Sequence, residues 1–253
     1  MYKKINKPNT DKLKESDKCS INGLKILPFI IRSFKESVCD IQSGVMNNKL
    51  LQSSIIVILK GNKTIVHLPT NFDKALITCK EQFIIVSVVI GFGGSESHSN
   101  IFIIDKVNKE IEHFEPHGEL FNIKTKDKKK QVFIKDQAEK IKIIIKSLAE
   151  SLVPTYKFIP CLDYCPIIGP QSIEYEDKYK LSHCDNGGGF CAVWSLLYIY
   201  LRLLNPTLKR SIIIKYVLDN VNITYILKFI TFIDKIIPDI EIEYLTQEKL
   251  TFS

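Results

Sequence analysis

The chain has 253 residues, a formal net charge of +7 at pH 7 and a hydrophobic content of 45%, which indicates a globular core and excludes an intrinsically disordered chain. Only three of its 35 basic residues are arginines, the usual residues for bidentate recognition of bases and phosphates. The positive charge is therefore diffuse, and it supports weak, non-specific contact with nucleic acid at most.

The N-terminal 20 residues are polar and contain no apolar core of a secretory signal, so they predict a flexible tail before a single domain over residues 21–253. The longest strongly apolar stretches, Phe83–Phe92 and Phe190–Leu204, are shorter than a membrane span. Seven cysteines at irregular spacings predict free thiols in a reducing compartment. We therefore expect a soluble, cytoplasmic protein without membrane contacts.

The first half of the chain predicts two hairpins on either side of a buried strand. Residues 24–51 are mixed and partly helical, and "SSIIVILKGNKTIVHLP" places two β-branched runs around Gly61-Asn62, which is typical of a hairpin. "NFDKALITCKE" predicts a short helix with Asn71 as its N-cap. "QFIIVSVVIGFGG" is wholly apolar, as in a strand at the centre of a sheet, and "SNIFIIDKVNKEIEHFEP" predicts a second hairpin turning near Asp105–Asn108.

The second half is mainly helical. "VFIKDQAEKIKIIIKSLAESLVP" has helical spacing, and the preceding "KDKKKQ" is a solvated charge run. A proline-rich loop, Pro154–Pro170, leads to Gln171, and the apolar helix that starts at Cys191 ends before Asn205-Pro206. Residues 207–238 contain one or two further helices. These elements predict an α+β fold in which helices pack on a central, mostly antiparallel sheet.

The second hairpin carries the most informative side chains. If its strands pair symmetrically about the turn, His98 lies opposite Glu115, Asn100 opposite His113, and Phe102 opposite Ile111. Opposed side chains on one face have Cβ atoms about 4.5–5.5 Å apart. The Glu115 carboxylate then holds one nitrogen of the His98 imidazole, which fixes the tautomer and leaves the other nitrogen to act as a base.

Cys191 is the candidate nucleophile. It stands between the glycines of "DNGGGF" and an apolar helix, where the positive end of the helix dipole and a neighbouring imidazolium both favour the thiolate. The glycines allow close approach of a substrate and can present N–H groups to a developing oxyanion.

The order His…acid…Gln…Cys, with "SHSNIFIIDKVNKEIEHFEPHG" and "GGGFCAVW", resembles the adenain and SUMO/ubiquitin-like protease superfamily. "FEPHG" is similar to the adenovirus maturation proteases, and the whole set is similar to proteins of large cytoplasmic DNA viruses. The resemblance covers roughly Phe83 to Pro206. It implies an adenain-like fold, with Cys191 as nucleophile, His98 as base and Glu115 as the residue that orients the base.

Three points stay open at this stage. The oxyanion donor is Gln171, Asn186 or the backbone at Gly189, because the position six residues before Cys191, where the family has glutamine, is Asp185. Cys184 is an alternative nucleophile that lacks the helix start. A structural zinc on Cys161, Cys165, His183 and Cys184 is a weaker alternative, because His183 and Cys184 are adjacent and adjacent side chains rarely both bind one ion. We expect no metal and no cofactor.

The resemblance implies a cysteine endopeptidase or isopeptidase that acts on protein substrates, either viral structural precursors or ubiquitin-like conjugates, in the host cytoplasm or the virion. The same triad also serves acyl transfer in related effector enzymes. The alternative is a catalytically silent protein of the same fold that binds virion components or ubiquitin-like proteins.

Overall fold

The computed structural model describes residues 27–39, 54–60, 63–69, 72–91, 97–118, 128–175 and 190–229. The predicted tail over residues 1–20 lies outside these ranges. The helices are α1 (Leu27–Ser33), α2 (Phe72–Thr78), α3 (Lys128–Leu152), α4 (Cys191–Leu204), α5 (Arg210–Asn220) and α6 (223–229). The strands are β1 (Val38–Cys39), β2 (Ile55–Lys60), β3 (Lys63–His67), β4 (Phe83–Gly91), β5 (Ser97–Asp105), β6 (Glu110–Phe114) and β7 (Lys157–Ile159).

The seven strands form one mixed sheet in the order β3-β2-β4-β5-β6-β7, and β1 also pairs with β4. Among the described strands, β2-β3, β4-β5 and β5-β6 are antiparallel, whereas β1-β4, β2-β4 and β6-β7 are parallel. The α+β class is as predicted. The sheet is mixed, and the longest pairings, β4-β5, β2-β3 and β5-β6, are the antiparallel ones. The hairpins supply the antiparallel pairs, and the parallel pairs come from crossovers that local sequence does not reveal.

The central strand β4 separates two apolar layers. Its residues Ile84, Val86, Val88 and Ile90 pack with α2 and α3, whereas Phe83 and Ile85 pack with α1, α4 and α5. The strand is buried on both faces, which is why its sequence is apolar apart from the buried Ser87. We name the two sides of the sheet the α3 face and the α4 face.

Most local predictions for the described elements are confirmed, but strand β7 lies within the predicted loop Pro154–Pro170. The first hairpin forms with Lys60 opposite Lys63, and its predicted turn at Gly61-Asn62 lies outside the described residues. The short helix α2 and the long helix α3 form where predicted, and α4 begins at Cys191 itself. The predicted N-cap Asn71 lies outside the described residues.

The predicted register of the second hairpin is wrong by two residues. The observed pairs place Phe102 opposite His113 and Ile104 opposite Ile111, and the turn contains four residues. The turn lies at residues 106–109, one residue later than predicted, and Asp105 stabilises it because one of its carboxylate oxygens accepts hydrogen bonds from the Val107 and Asn108 N–H groups. A shift of two residues keeps every side chain on its predicted face.

Cys39 and Cys79 are joined by a disulfide, which corrects the expectation that the cysteines are free. The pairing of β1 with β4 and the end of α2 bring the two Cα atoms to 5.8 Å, within the usual disulfide range. The described cysteines that remain free are Cys161, Cys165 and Cys191. In the described part of the chain, no helix is long and apolar enough to cross a membrane.

Candidate active site

His98 and Glu115 are in direct contact despite the shifted register. The His98 Nε2 atom lies 2.6 Å from Glu115 Oε1, and both side chains are buried. The new register places Asn100, rather than His98, level with Glu115, and the Asn100 amide nitrogen donates to Glu115 Oε2 at 2.5 Å. The glutamate lies just beyond the end of β6, where its side chain is long enough to reach His98 as well.

The charges of this pair stabilise each other. Burial alone would lower the pKa of His98, but the Glu115 carboxylate and hydrogen bonds to Cys191 and Glu115 raise it to about 10. Burial alone would raise the pKa of Glu115, but the charge and hydrogen bond of His98 lower it to about 2. The pair is therefore an imidazolium and a carboxylate near neutral pH.

Cys191 is the first residue of α4 and is half-buried. Pairing of β5 with β6 ends at Ile101 opposite Phe114, and beyond that point the Ser99 N–H donates to Cys191 Sγ at 3.3 Å. The thiol is also one of the groups that raise the pKa of His98, which places it beside the imidazole. Because Glu115 holds Nε2, the ring nitrogen left for the thiol is Nδ1.

A buried ionic cluster fixes α4 and α5 to the sheet on the α4 face. The Glu112 carboxylate accepts hydrogen bonds from the Tyr198 hydroxyl, from Arg202 Nε at 3.3 Å and from Arg210 Nε at 2.6 Å. Glu112 and Arg202 have side chains that are 1% and 4% exposed. The cluster therefore determines where the start of α4, and with it Cys191, lies relative to β5.

Two glycines hold the segment that carries Glu115. A Cβ atom on Gly169 would lie 2.3 Å from Gly118 N and 2.4 Å from Pro116 O, and Gly118 has a φ of +77°. The two backbones are joined by hydrogen bonds from Gly169 N to His117 O and from Gln171 N to Pro116 O. Only residues without a Cβ allow this approach. The "EPHG" and "GPQ" segments are thereby brought together.

Among the candidate oxyanion donors, Gln171 is the one that lies within the described residues. It is buried in a 3-10 helix, Pro170–Tyr175, that packs against α4 and α5. Asn186, Gly189 and the alternative nucleophile Cys184 lie outside the described residues, as does His183.

His113 and His117 lie beside the pair without replacing His98. Burial is the main cause that lowers the pKa of each to about 4, so both are neutral at neutral pH. The His117 ring stacks on His98 with centroids 4.9 Å apart. Phe114 and Trp194 are core residues, as predicted.

Metal ligation has little support among the described residues. Cys39, Cys79 and Glu81 are the group whose ligand atoms lie close enough together to hold an ion, but the two sulfurs are already joined in the disulfide. Two of the four residues of the zinc alternative, Cys161 and Cys165, are buried beside each other, and the other two lie outside the described ranges.

Sequence reasoning missed three residues that shape the site: Asn100, Ser99 and Gly169. Asn100 is two residues after His98 and therefore on the same face of the strand, which is a signal that the alternation of a strand provides. Ser99 acts through its backbone, and Gly169 acts through a contact about 50 residues distant along the chain. Neither leaves a local pattern in the sequence.

Comparisons with known proteins leave the family open. No family model matches the chain, and no solved structure matches it. A protein of Acanthamoeba polyphaga mimivirus described as an ankyrin repeat protein, L371, is 28% identical over 145 residues. The match covers 54% of this chain and 18% of that relative. Ankyrin repeats are built from paired helices, so the name does not describe the sheet found here.

Proposed function

We propose that this protein is a cysteine peptidase of the endopeptidase or isopeptidase type, with Cys191 as nucleophile, His98 as general acid and base, and Glu115 as the residue that orients His98. The observation that carries the proposal is a half-buried thiol at the start of a helix, within reach of an imidazole whose far nitrogen is held 2.6 Å from a buried carboxylate. A core cysteine requires none of these neighbours.

The arrangement supports a two-step acyl transfer. The Cys191 thiolate attacks the carbonyl carbon of a peptide or isopeptide bond, and the imidazolium Nδ1–H gives its proton to the leaving amine nitrogen as the C–N bond breaks. Neutral His98 then takes a proton from water, whose oxygen attacks the thioester. Collapse of this second intermediate releases the acid and restores the thiolate and the imidazolium.

The developing oxyanion needs hydrogen-bond donors near the sulfur. The backbone N–H groups of the first turn of α4 point out of the helix at Cys191, and the buried Gln171 is the side-chain candidate on the neighbouring segment. Asn100 is a positioning residue. Its amide nitrogen donates a hydrogen bond to Glu115 Oε2 and so holds the carboxylate in the orientation in which Oε1 contacts His98 Nε2.

The substrate class is a protein, for which we keep the two possibilities of a viral structural precursor and a ubiquitin-like conjugate. The relative from mimivirus supports a viral setting, and we expect the host cytoplasm or the virion as the place of action. Reaction with a ubiquitin-like protein carrying a C-terminal vinyl sulfone would select the isopeptidase, and cleavage of capsid precursors would select the endopeptidase.

The test is the rate at which iodoacetamide alkylates Cys191 as a function of pH, resolved by peptide mass spectrometry. We expect fast labelling at pH 6 in the wild type, a large loss in His98→Ala and a smaller loss in Glu115→Gln. His67→Ala is the matched control, because His67 lies on the exposed strand β3. Cys161 is the internal control, because burial raises the pKa of its thiol.

Slow labelling of Cys191 that neither substitution changes would overturn the proposal. It would favour the alternative of a catalytically silent protein that binds virion components or ubiquitin-like proteins.

A further inference from the structure

A carboxylate lies beside the disulfide that joins Cys39 and Cys79. Cys39 ends strand β1, Cys79 follows the last residue of α2, and Glu81 is two residues further along the chain. The ligand atoms of these three residues all lie within 4.8 Å of one another, and Glu81 Oε2 is 3.2 Å from Cys79 Sγ. The Lys80 N–H donates to the same Glu81 oxygen at 3.0 Å, which helps to hold the carboxylate in this orientation. Glu81 therefore adds a third possible metal ligand to the two sulfurs.

The redox state decides whether these sulfurs can bind an ion. In the oxidised form they are bonded to each other, whereas thiols are kept reduced in the cytosol. A dithiol reductant supplies two electrons and two protons, so the S–S bond breaks, two thiols form, and the reductant becomes a disulfide. The two sulfurs can then separate to about 3.8 Å, the spacing of two thiolates on a tetrahedral Zn²⁺ with bonds of about 2.3 Å.

The chemistry and charge of the three side chains favour zinc. Thiolates select soft ions such as Zn²⁺, and a carboxylate oxygen is an accepted further ligand. Two thiolates and one carboxylate carry three negative charges, of which Zn²⁺ neutralises two. The Lys106 ammonium donates to the Cys79 carbonyl oxygen and so lies near the remaining charge. Cys39 and Glu81 are half-buried, which leaves the group open to an ion from solvent.

We propose that reduced Cys39, Cys79 and Glu81 bind one Zn²⁺, with water as the fourth ligand. Binding releases the two thiol protons to solvent as the two Zn–S bonds form. The ion then takes the place of the disulfide as the link between β1 and the end of α2. Strand β1 contributes only two residues to the sheet, both paired with β4, so this link supports a short element in reducing as well as oxidising surroundings. The site does not depend on peptidase activity.

Titration of Co²⁺, as a spectroscopic substitute for Zn²⁺, into the full chain tests the proposal. The protein is first reduced with a phosphine, which is removed before the metal is added without oxygen. We expect one equivalent of Co²⁺ to produce a sulfur-to-cobalt charge-transfer band and the strong visible bands of tetrahedral Co²⁺, and Zn²⁺ to displace it. The oxidised protein is the matched control, and this signal should be absent from it.

Substitutions in the reduced protein locate the ion. Cys39→Ser and Cys79→Ser should each abolish the one-equivalent signal, and loss of the disulfide cannot be the cause because every reduced variant lacks it. Cys161→Ser should keep the signal, because Cys161 and Cys165 form a separate pair of free thiols.

Glu81→Gln tests the third ligand. It should weaken Co²⁺ binding by about tenfold or more, whereas Asp73→Asn, which removes an exposed carboxylate of α2, should bind as the wild type does. Absence of the signal from the reduced wild type would overturn the proposal. Its persistence in Cys79→Ser, its loss in Cys161→Ser, or equal affinities of Glu81→Gln and Asp73→Asn would also overturn it.

Discussion

Replacement of Gly169 by alanine tests whether the contact between the two glycine-containing segments positions the Glu115 carboxylate beside His98. The added Cβ would lie 2.3 Å from Gly118 N, 2.4 Å from Pro116 O and 2.5 Å from the His117 carbonyl carbon. Ordinary contacts between carbon atoms are about 3.5–4.0 Å. These neighbours are backbone atoms that cannot rotate away, so the segment carrying Glu115 must move by about 1 Å.

A movement of this size has two expected effects. Overpacking costs typically 1–3 kcal/mol, and we expect the upper end because three backbone atoms are involved. The contact between His98 and Glu115, now 2.6 Å, would lengthen to about 3.6 Å, which is no longer a hydrogen bond. A hydrogen bond to a charged group contributes about 1.5–3 kcal/mol, so the labelling rate of Cys191 at pH 6 should fall about tenfold or more.

Urea denaturation and the labelling of Cys191 at pH 6 measure the two effects. Gly91→Ala is the matched control, because a Cβ at that position would have Val57 O, at 4.0 Å, as its nearest neighbour. If Gly169→Ala were as stable as Gly91→Ala and its Cys191 were labelled at the wild-type rate, the reasoning would be refuted.

Three further predictions concern the charges of the site and its support. Asn100→Asp puts a second carboxylate beside Glu115, 2.5 Å away in the present geometry. Labelling of Cys191 at pH 6 should slow by about tenfold or more, the effect expected of one buried like-charge contact. An unchanged labelling rate would show that Asn100 does not support the site. Glu112→Gln leaves Arg202 buried without its counter-ion, so the unfolding free energy measured in urea should fall by about 3–5 kcal/mol. The side chain of Glu110 is 23% exposed, so Glu110→Gln should lower the unfolding free energy by less than about 1 kcal/mol. Equal losses in the two variants would contradict this reasoning. The difference in unfolding free energy between wild type and Glu115→Gln should be largest between about pH 4.5 and 6.5. The ion pair is lost as the pH falls from 4.5 towards the Glu115 pKa of about 2, and it is lost as the pH rises from 6.5 towards the His98 pKa of about 10. A difference that does not depend on pH would exclude the ion pair.

The sequence was sufficient for features that depend on local pattern. The apolar run of β4, the pairing of β2 with β3 and the helix that starts at Cys191 follow from propensity and periodicity, and all three are observed. The alternation of β5 and β6 placed His98 and Glu115 on one face, and this survived an error of two residues because the period of a strand is two.

Features that depend on distant contacts were not predictable. The turn lies after Asp105 rather than beginning at it, because the Asp105 carboxylate accepts hydrogen bonds from N–H groups of the turn, and a symmetric pairing rule does not include this contact. The parallel pairing of β6 with β7 and the disulfide between Cys39 and Cys79 arise from the path of the whole chain. The residues of the proposed triad could therefore be named from the sequence, whereas the contacts that hold them in place could not.

The hydrogen bond from the Ser99 N–H to Cys191 Sγ makes the chemical shift of one backbone amide dependent on the state of the Cys191 sulfur. A thiolate is a stronger acceptor than a thiol or a thioether, so each chemical state of the sulfur should shift the proton resonance of this amide differently. The Ser99 signal would then follow deprotonation, acylation and alkylation of Cys191 without any label on the sulfur. An amide of strand β5 would thus report the chemical state of the Cys191 sulfur by NMR.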